Sequence, residues 1–346
     1  MQTKTFLTRT EFREGVFQRD GHKCVVCERG DCHLDSHHII ERRLWGVSEG
    51  YYIDNGATLC EVHHREAEST VLSCEELRRL CGIKNIILPE HLYPDEEWDK
   101  WGNLILPNGM RMIGELFFDE SVQRILQPVL HLFTNRVKYP RTYHLPWSPG
   151  FTKDDRVHTQ ESLKVLKGSE VVVTVKMDGE NTTFYQDGLH ARSLDYHAHE
   201  SRNRVRALQA QVGFDIPKDW RVCGENLYAT HSIHYENLPH YFLMFSLWTD
   251  RNLCLSWDET KEWAELMGLK MVLELYRGPW DEAHIKSLFK PAFQNNPMEG
   301  YVVRVTREFS YREFRDCVGK FVRPDHVQTH GGHMRQRVVP NGLEDL

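Results

Sequence analysis

The chain has 346 residues, of which 40% are hydrophobic and 27% are charged. Since a domain commonly holds roughly 100–200 residues, this length predicts two domains with sizeable buried cores. The formal net charge of −7 argues against a uniformly basic nucleic-acid coat protein, although a local basic groove is compatible with it.

The distribution of apolar residues disfavours both membrane insertion and secretion. The longest apolar runs, 171–175 and 241–248, fall well short of the roughly 18–20 residues that a membrane-spanning helix needs. The first residues, Met1 to Lys4, lack the apolar stretch of a secretory signal. We therefore expect a cytoplasmic protein with no membrane association.

Cysteine is concentrated in the first quarter of the chain, and the total of nine is odd. An odd number without a secretory signal favours reduced thiols and a metal site over a disulfide framework. Cys24-x-x-Cys27 and Cys60-x-x-His63 are two pairs of the same spacing, and four such ligands satisfy tetrahedral zinc. The sequence therefore predicts a structural Zn²⁺ site in a small domain over residues 1–84, whose folding depends on the metal.

Further histidines accompany these pairs: His37-His38 lie between them and His64 follows the last zinc ligand. Together with Asn55, they make residues 10–70 resemble the HNH endonucleases, which have a zinc-stabilised ββα-metal core. The resemblance implies that His38 is the general base, while His37 and His64 hold a divalent metal at the scissile phosphate. Asn55 would orient the base or brace the loop. A base with a pKa near neutrality suits this chemistry.

Residues 85–135 open with the acidic, proline-containing stretch 89–98, which predicts a connector or exposed loop, and a helix is expected over 120–133. From 136 to 346, short β-branched and aromatic runs alternate with helical patterns, so the fold class is α+β. Strands are expected at 171–175, 182–185, 241–248 and 301–305, and helices at 200–212, 259–267 and 281–289.

The strand predicted at 171–175 ends in Lys176-Met177-Asp178-Gly179. A lysine at the end of a buried strand is partly desolvated, which is expected to lower its pKa and free its lone pair for nucleophilic attack. The Asp-Gly pair predicts a tight turn that presents this lysine to a pocket. Taken alone, Lys-x-Asp-Gly is a short pattern that chance can produce.

Five further patterns follow the lysine in order. They are Arg192-Ser193, 222–229 with Glu225, 242–248 with Phe245, 298–304 with Glu299, and 318–323 with Lys320. With the lysine pattern, they resemble the covalent nucleotidyltransferase superfamily of ATP-dependent ligases and capping enzymes, over residues 136–330. The stretches 138–146 and 323–329 resemble most closely the RNA ligases of the nick-sealing, phage-type branch.

This resemblance implies an antiparallel-sheet adenylyltransferase domain that joins 5′-phosphate and 3′-hydroxyl ends of RNA, or of an RNA-containing nicked duplex. Lys176 would attack the α-phosphate of ATP and hold AMP covalently. Lys320 would stabilise the charge of the transition state, where electrostatic effects dominate. Glu299 would bind Mg²⁺ or Mn²⁺.

The remaining roles implied by the resemblance concern the nucleotide. Glu225 would hold a ribose hydroxyl or metal-bound water, Phe245 would stack on adenine, and Arg192 would bind phosphate. One position departs from the family pattern, because Val322 stands where a second lysine is common. Arg323 follows it, and arginine is not equivalent to lysine as a phosphate partner.

We therefore expect an HNH-type nuclease module fused to an ATP-dependent RNA ligase, acting in nucleic-acid repair or defence. Two alternatives stay open: a ligase whose zinc module only binds nicked nucleic acid, and an enzyme that transfers AMP to a different target or caps RNA with a nucleotide. Basic residues after Gly300 favour a polynucleotide substrate. The sequence leaves the oligomeric state open.

Overall fold

The structure is a computed structural model that describes residues 7–46, 49–152, 155–192, 194, 199–293, 296–324 and 338–344. Ser193 and residues 325–329, which belong to two of the predicted patterns, lie outside these ranges. The chain divides into two compact units, Met1–Val137 and Lys138–Leu346. None of the helices among the described residues is long and apolar enough to cross a membrane.

The first unit places a two-stranded antiparallel sheet, β1 with β2, before a helix, and a second sheet of very short strands follows in the order β3-β4-β5-β6. Its elements are α1 (Arg9–Arg19), β1 (Leu34–His38), β2 (Gly56–Cys60), α2 (Glu61–Glu68), α3 (Cys74–Leu80), β3 (Glu97–Trp98), β4 (Leu104–Ile105), β5 (Arg111–Met112), α4 (Glu120–Ile125) and β6 (Phe133–Thr134).

Residues 85–135, which we expected to connect two domains, lie within the first unit. Trp101, Val122 and Leu126 are buried there in an apolar cluster. The helix predicted over 120–133 stops at Ile125 and is followed by a 3₁₀ helix, Gln127–Leu132. The 3₁₀ segment begins around Pro128, whose missing N–H and ring cannot continue an α-helix.

The second unit contains two larger sheets whose strand orders are β10-β9-β11-β12-β13-β18 and β14-β8-β17-β19-β7. Its elements are β7 (Tyr143–His144), α5 (Lys164–Lys167), β8 (Glu170–Lys176), β9 (Glu180–Tyr185), β10 (Gly188–Ala191), α6 (Asn203–Val212), β11 (Arg221–Asn226), β12 (Phe242–Trp248), β13 (Leu253–Cys254), α7 (Trp257–Leu266), β14 (Glu274–Pro279), α8 (Glu282–Ser287), β15 (Ala292–Phe293), β16 (Asn296–Pro297), β17 (Gly300–Val305), β18 (Phe309–Ser310), α9 (Phe314–Cys317) and β19 (Val318–Val322).

All pairings in these two sheets are antiparallel except β7 with β19, which is parallel. The predicted α+β class with mainly antiparallel sheets is therefore confirmed. Strand β8 is a valine run interrupted only by Thr174, because both of its faces are covered: Val171 and Val173 belong to one apolar cluster and Val172 to another. The four predicted strands and three predicted helices are all present, with ends shifted by a few residues.

Candidate active sites

The four predicted zinc ligands of the first unit lie together. Sγ of Cys24 and Sγ of Cys60 lie 3.3 and 3.2 Å from Nδ1 of His63, and Sγ of Cys27 lies 3.9 Å from Sγ of Cys60. A tetrahedron with metal–ligand distances of about 2.0–2.3 Å has edges of about 3.3–3.8 Å. The donor set and its spacing therefore fit a zinc ion.

A second group of potential ligands joins β1 to α2 in the same unit. His37, His64 and Glu68 offer ligand atoms within 4.8 Å of one another. Oε1 of Glu68 lies 3.4 Å from Nδ1 of His37 and 3.5 Å from Nε2 of His64. His37 is buried, and neither Nδ1, which faces Glu68, nor Nε2 has a hydrogen-bond partner among the described residues. An imidazole nitrogen left without a partner fits a divalent-metal site.

Sequence reasoning missed Glu68. Its signal was the spacing from His64, because residues four apart lie on the same face of a helix. Lys100 was missed as well, and it is 3% exposed. Its Nζ donates to the carbonyl of His38 at 2.9 Å and lies 3.2 Å from Oε1 of Glu68. Nothing in the residues around Lys100, which we expected to lie in a connector, predicts that its side chain contacts His38 and Glu68.

His38 points away from His37, as alternation along a strand requires. Its ring stacks on Phe12, with centroids 4.5 Å apart, and meets the edge of Tyr51. Burial, with help from the charge of Lys100, lowers the pKa of His38 to about 3. The expectation of a base with a pKa near neutrality is therefore corrected, because the ring is stacked in an apolar setting next to a cation.

Asn55 lies at the end of the loop between β1 and β2 and is buried. Its side-chain amide donates to the carbonyls of Ile40 and Gly50 at 3.0 and 3.1 Å. Its side-chain oxygen accepts from the N–H of Ile40 at 2.9 Å. Of the two roles expected for Asn55, these bonds correspond to bracing the loop.

In the second unit, Lys176 and Glu299 meet because of strand register. Lys176 ends β8 and pairs with Gly300 of β17, so the residue before Gly300 lies next to the lysine. Nζ of Lys176 donates to both carboxylate oxygens of Glu299, at 2.8 and 2.7 Å. A Cβ at position 300 would lie 1.9 Å from the carbonyl oxygen of Phe321, so only glycine permits this approach.

The pKa of Lys176 is shifted in the direction opposite to the one expected. Burial alone lowers the pKa of this lysine, but the negative charges of Glu299 and Glu225 outweigh it and raise the pKa above its ordinary value. The side chain of Lys176 is 25% exposed and that of Glu299 is 1% exposed, so their attraction is poorly screened. The lysine is thus held charged and oriented by the carboxylate that it contacts.

Two further carboxylates surround this pair. Glu225 of β11 accepts from the N–H of Gly179 at 3.2 Å. Burial, with repulsion from Glu299 and Asp178, raises the pKa of Glu225 to about 8. Asp178 was not singled out for a role of its own, yet its Oδ2 accepts from the N–H groups of Ser232 and Ile233. These bonds fix the turn that follows Lys176.

Glu225 makes the stability of the fold depend on pH. The folded-state pKa of Glu225 lies above its ordinary value of 4.5. Its contribution to the free energy of unfolding is therefore complete below about pH 4.5, where the carboxyl is protonated in both states, and is lost as the pH rises through about 8. We expect the melting temperature of the wild type to fall between pH 5 and pH 8.5. This fall should be smaller in Glu225→Gln, as measured by calorimetry. If the melting temperatures of the wild type and Glu225→Gln fall equally with pH, the raised pKa of Glu225 is contradicted.

The other predicted nucleotide-site residues are distributed around the same strands. Lys320 lies on β19, and burial with the charges of Lys176 and Arg192 lowers its pKa to about 8. Arg192 follows β10 and is exposed. Phe245 of β12 is half-buried and packs edge-on against Tyr139 with centroids 5.2 Å apart.

The structure places the two residues, Val322 and Arg323, at which the last basic pattern departs from the family. Val322 is buried in β19, so its side chain belongs to the core. The N–H of Arg323 donates to the carbonyl of Glu299 at 2.9 Å. The backbone of Arg323 therefore lies beside the Lys176–Glu299 pair.

Comparisons with known proteins give one family match and weak structural similarities. No curated protein matches the chain in sequence. A solved structure of the Naegleria gruberi RNA ligase, a lysine mutant with ATP and Mn, shares 16% identity with a TM-score of 0.37 and covers 54% of this chain and 60% of that chain. An aspartate mutant of the same ligase without ligand shares 14% identity with a TM-score of 0.39, and covers 83% of this chain and 74% of that chain.

The first of these alignments spans less than two thirds of the Naegleria protein, and scores this low support no further conclusion. The family match is more informative because it falls on one continuous segment of the second unit. That segment contains Lys176, Glu225, Glu299 and Lys320, and corresponds to somewhat less than half of the chain. Residues 169–322 match the RNA ligase family.

Proposed function

We propose that the second unit is an ATP-dependent RNA ligase that works through a covalent lysyl-AMP intermediate. The observation that carries the proposal is the contact of Lys176 with Glu299, where β8 ends and β17 begins, in a sheet that also bears Lys320. The match of residues 169–322 to the RNA ligase family supports it. The partner is then RNA or an RNA-containing nicked duplex.

Lys176 is the nucleophile in this proposal. Its nitrogen attacks the α-phosphorus of ATP, a P–N bond forms, the bond to the β-phosphate breaks, and pyrophosphate leaves. Glu299, 2.7 Å from Nζ, orients the amine and can accept the proton that it must lose. The AMP then passes to a 5′-phosphate, and attack by a 3′-hydroxyl seals the strand and releases AMP.

The remaining groups of the site act on charge. Lys320 stabilises the negative charge that develops on the phosphoryl oxygens, and Arg192, whose charge acts on Lys320, supplies a second cation. The buried carboxylates of Glu225 and Glu299 fit a divalent cation, because burial raises the pKa of Glu225 to about 8 although Lys176 and the N–H of Gly179 compensate part of its charge. Mg²⁺ or Mn²⁺ held there would neutralise phosphate charge.

The experiment that tests the ligase is the intact mass of the purified protein before and after ATP with Mg²⁺. A gain of one AMP under denaturing conditions is expected, since a phosphoramide survives unfolding. Pyrophosphate treatment beforehand removes any AMP acquired during expression. If the treated protein gains no AMP with either Mg²⁺ or Mn²⁺, the ligase proposal fails. AMP found on another protein or GMP found on Lys176 would instead identify one of the alternative transfer reactions.

We infer that the first unit is an HNH-type nuclease module, because β1, β2 and α2 form a ββα unit that brings His37, His64 and Glu68 together. These three residues would hold a divalent metal, which would stabilise the leaving oxygen. Lys100 fixes the strand end by bonding the carbonyl of His38. Because burial and Lys100 lower the pKa of His38 to about 3, its ring is unprotonated near pH 7 and would act as a weak base that accepts a proton from water.

The alternative is a zinc module that only binds nicked nucleic acid, and His38→Ala separates the two. We expect wild-type protein with Mg²⁺, Mn²⁺ or Ni²⁺ to cleave labelled RNA or DNA, and His38→Ala to lose about 10²–10⁴-fold in rate, as when a general base is removed. Its affinity for uncleaved polymer should stay unchanged. Absence of cleavage by the wild type, with intact binding, would favour the binding module.

A further inference from the structure

A segment upstream of the nucleophile runs along the strand that carries Lys320. Strand β7 pairs in parallel with β19, and His144 lies opposite Lys320. The N–H of Leu145 donates to the carbonyl of Lys320 at 2.7 Å. The hydroxyl of Ser148 accepts from the N–H of Val322 at 2.9 Å. These bonds attach the first part of the β7 strap, defined as residues 143–152 and 155–158, to the backbone at Lys320 and Val322.

The β7 strap also carries a carboxylate to the side chain of Lys320. Oδ1 of Asp155 lies 3.9 Å from Nζ of Lys320 and 3.6 Å from Nε2 of His144. Oδ2 of Asp155 accepts from the N–H and the hydroxyl of Thr152, at 3.0 and 3.1 Å. One carboxylate oxygen is therefore fixed by the strap itself, and the other faces a lysine and a histidine.

His144 lies beside this carboxylate in a buried, anchored position. It is 1% exposed, and its Nδ1 lies 2.8 Å from the hydroxyl oxygen of Ser148. That oxygen also accepts from the N–H of Val322 and lies 3.4 Å from the carbonyl oxygen of the same residue, so Ser148 links the ring of His144 to the backbone of β19. Burial lowers the pKa of His144 to about 4, so the ring is neutral near pH 7, and its Nε2 faces Oδ1 of Asp155 at 3.6 Å.

Lys320 needs such a partner to stay charged. Burial and the positive charges of Lys176 and Arg192 lower its pKa to about 8, whereas Asp155 and Glu299 act in the opposite direction. The side chains of Lys320 and Asp155 are 20% and 18% exposed, so water screens their attraction only in part. Without Asp155, the amine would be less often charged and free to adopt other rotamers.

We propose that Asp155, held by Thr152 and flanked by His144, is a positioning residue that fixes the ammonium group of Lys320 for transfer of AMP to Lys176. The inference deepens the proposed ligase function and rests on it. Asp155 acts through Lys320 and does not itself contact the phosphoryl group. The chemistry requires a lysine at position 320 and a carboxylate at position 155 as a pair.

A double-mutant cycle tests this pair. Single-turnover formation of the AMP adduct is measured in wild type, Asp155→Asn, Lys320→Met and the double variant. We expect Asp155→Asn to slow the step roughly tenfold or more, the loss expected when a partly buried charge partner is removed. The KM for ATP should stay the same or fall, because a carboxylate no longer repels the triphosphate. In the Lys320→Met background, Asp155→Asn should change the rate by less than about twofold.

Glu161→Gln is the matched control, because Glu161 is an exposed carboxylate further along the same unit that pairs with Lys164. The rate of adduct formation in Glu161→Gln should equal that of the wild type. Thr152→Val, at an exposed position, removes one bond to Asp155 and should give a smaller loss even if Asp155→Asn folds poorly. Equal rates for Asp155→Asn and wild type, or losses that simply add in the double variant, would overturn the proposal. A lower melting temperature with a raised KM would do the same, since it indicates a structural role. Absence of the AMP adduct in the wild type would refute the ligase proposal itself, and this outcome differs from a failure of the Asp155 proposal, in which the wild type still forms the adduct.

Discussion

Replacement of Lys176 by alanine or arginine is expected to abolish the covalent AMP adduct, with a loss in rate on the order of 10⁴-fold or more, as for removal of a covalent nucleophile. Arginine keeps the positive charge beside Glu299 and so preserves the ion pair that organises the site. Its guanidinium stays protonated, however, and cannot attack phosphorus. The measurement is single-turnover labelling with radioactive ATP, followed by denaturing electrophoresis.

Lys164→Ala is the control for this experiment, because Lys164 is an exposed lysine of the same unit whose partner is Glu161. Its adduct rate and melting temperature should equal those of the wild type. An AMP adduct that persists in Lys176→Arg, and maps by peptide mass to another lysine, would show that the nucleophile has been assigned wrongly. The arginine variant must retain the wild-type melting temperature for its loss to count.

Removal of the predicted zinc is expected to unfold the first unit. Cys24 and Cys60 are buried among the apolar residues of its core, which include Ile39 and Leu59. A structural zinc ion commonly contributes about 10–16 kcal/mol to the folding of small domains, which exceeds the stability of most domains. We expect Cys24→Ser or a strong chelator to abolish one melting transition of the full chain. Calorimetry and circular dichroism measure this transition.

Cys32→Ser provides the matched control, since Cys32 is a half-buried cysteine of the same segment that lies outside the four-ligand group. It should keep both the metal and the melting transition. Metal analysis of the purified wild type should find one zinc per chain that Cys24→Ser lacks. A chelated protein that melts like the untreated one would contradict the zinc assignment.

The valine run at 171–175 could be recognised as a strand because β-branched residues suit a pleated sheet covered on both faces. The helix at 120–133 could not be placed correctly from its apolar pattern alone, because Pro128 ends it locally. Pairs with short fixed spacing, such as Cys60 and His63, were accessible since one local turn brings them together. Glu68 followed the same logic from His64 and was overlooked.

Long-range partners were inaccessible to the sequence. Nothing near Lys100 in the chain indicates that its amine bonds the carbonyl of His38, because the contact depends on packing between distant segments. The sign of the pKa shift of Lys176 is a similar case. Burial could be foreseen from the valine run, whereas the carboxylate of Glu299 reaches the lysine only through the register of β8 with β17.

The sequence by itself determined the α+β class and the main strands, and it supplied candidates such as the paired zinc ligands and Lys176, because local propensity and short spacings are written in neighbouring positions. Only the tertiary structure decided which charges meet. It set Glu299 against Lys176 and Asp155 against Lys320, and it raised one lysine pKa while lowering the other. Electrostatic energy depends on distance and burial in three dimensions, and neither quantity can be read along a single chain.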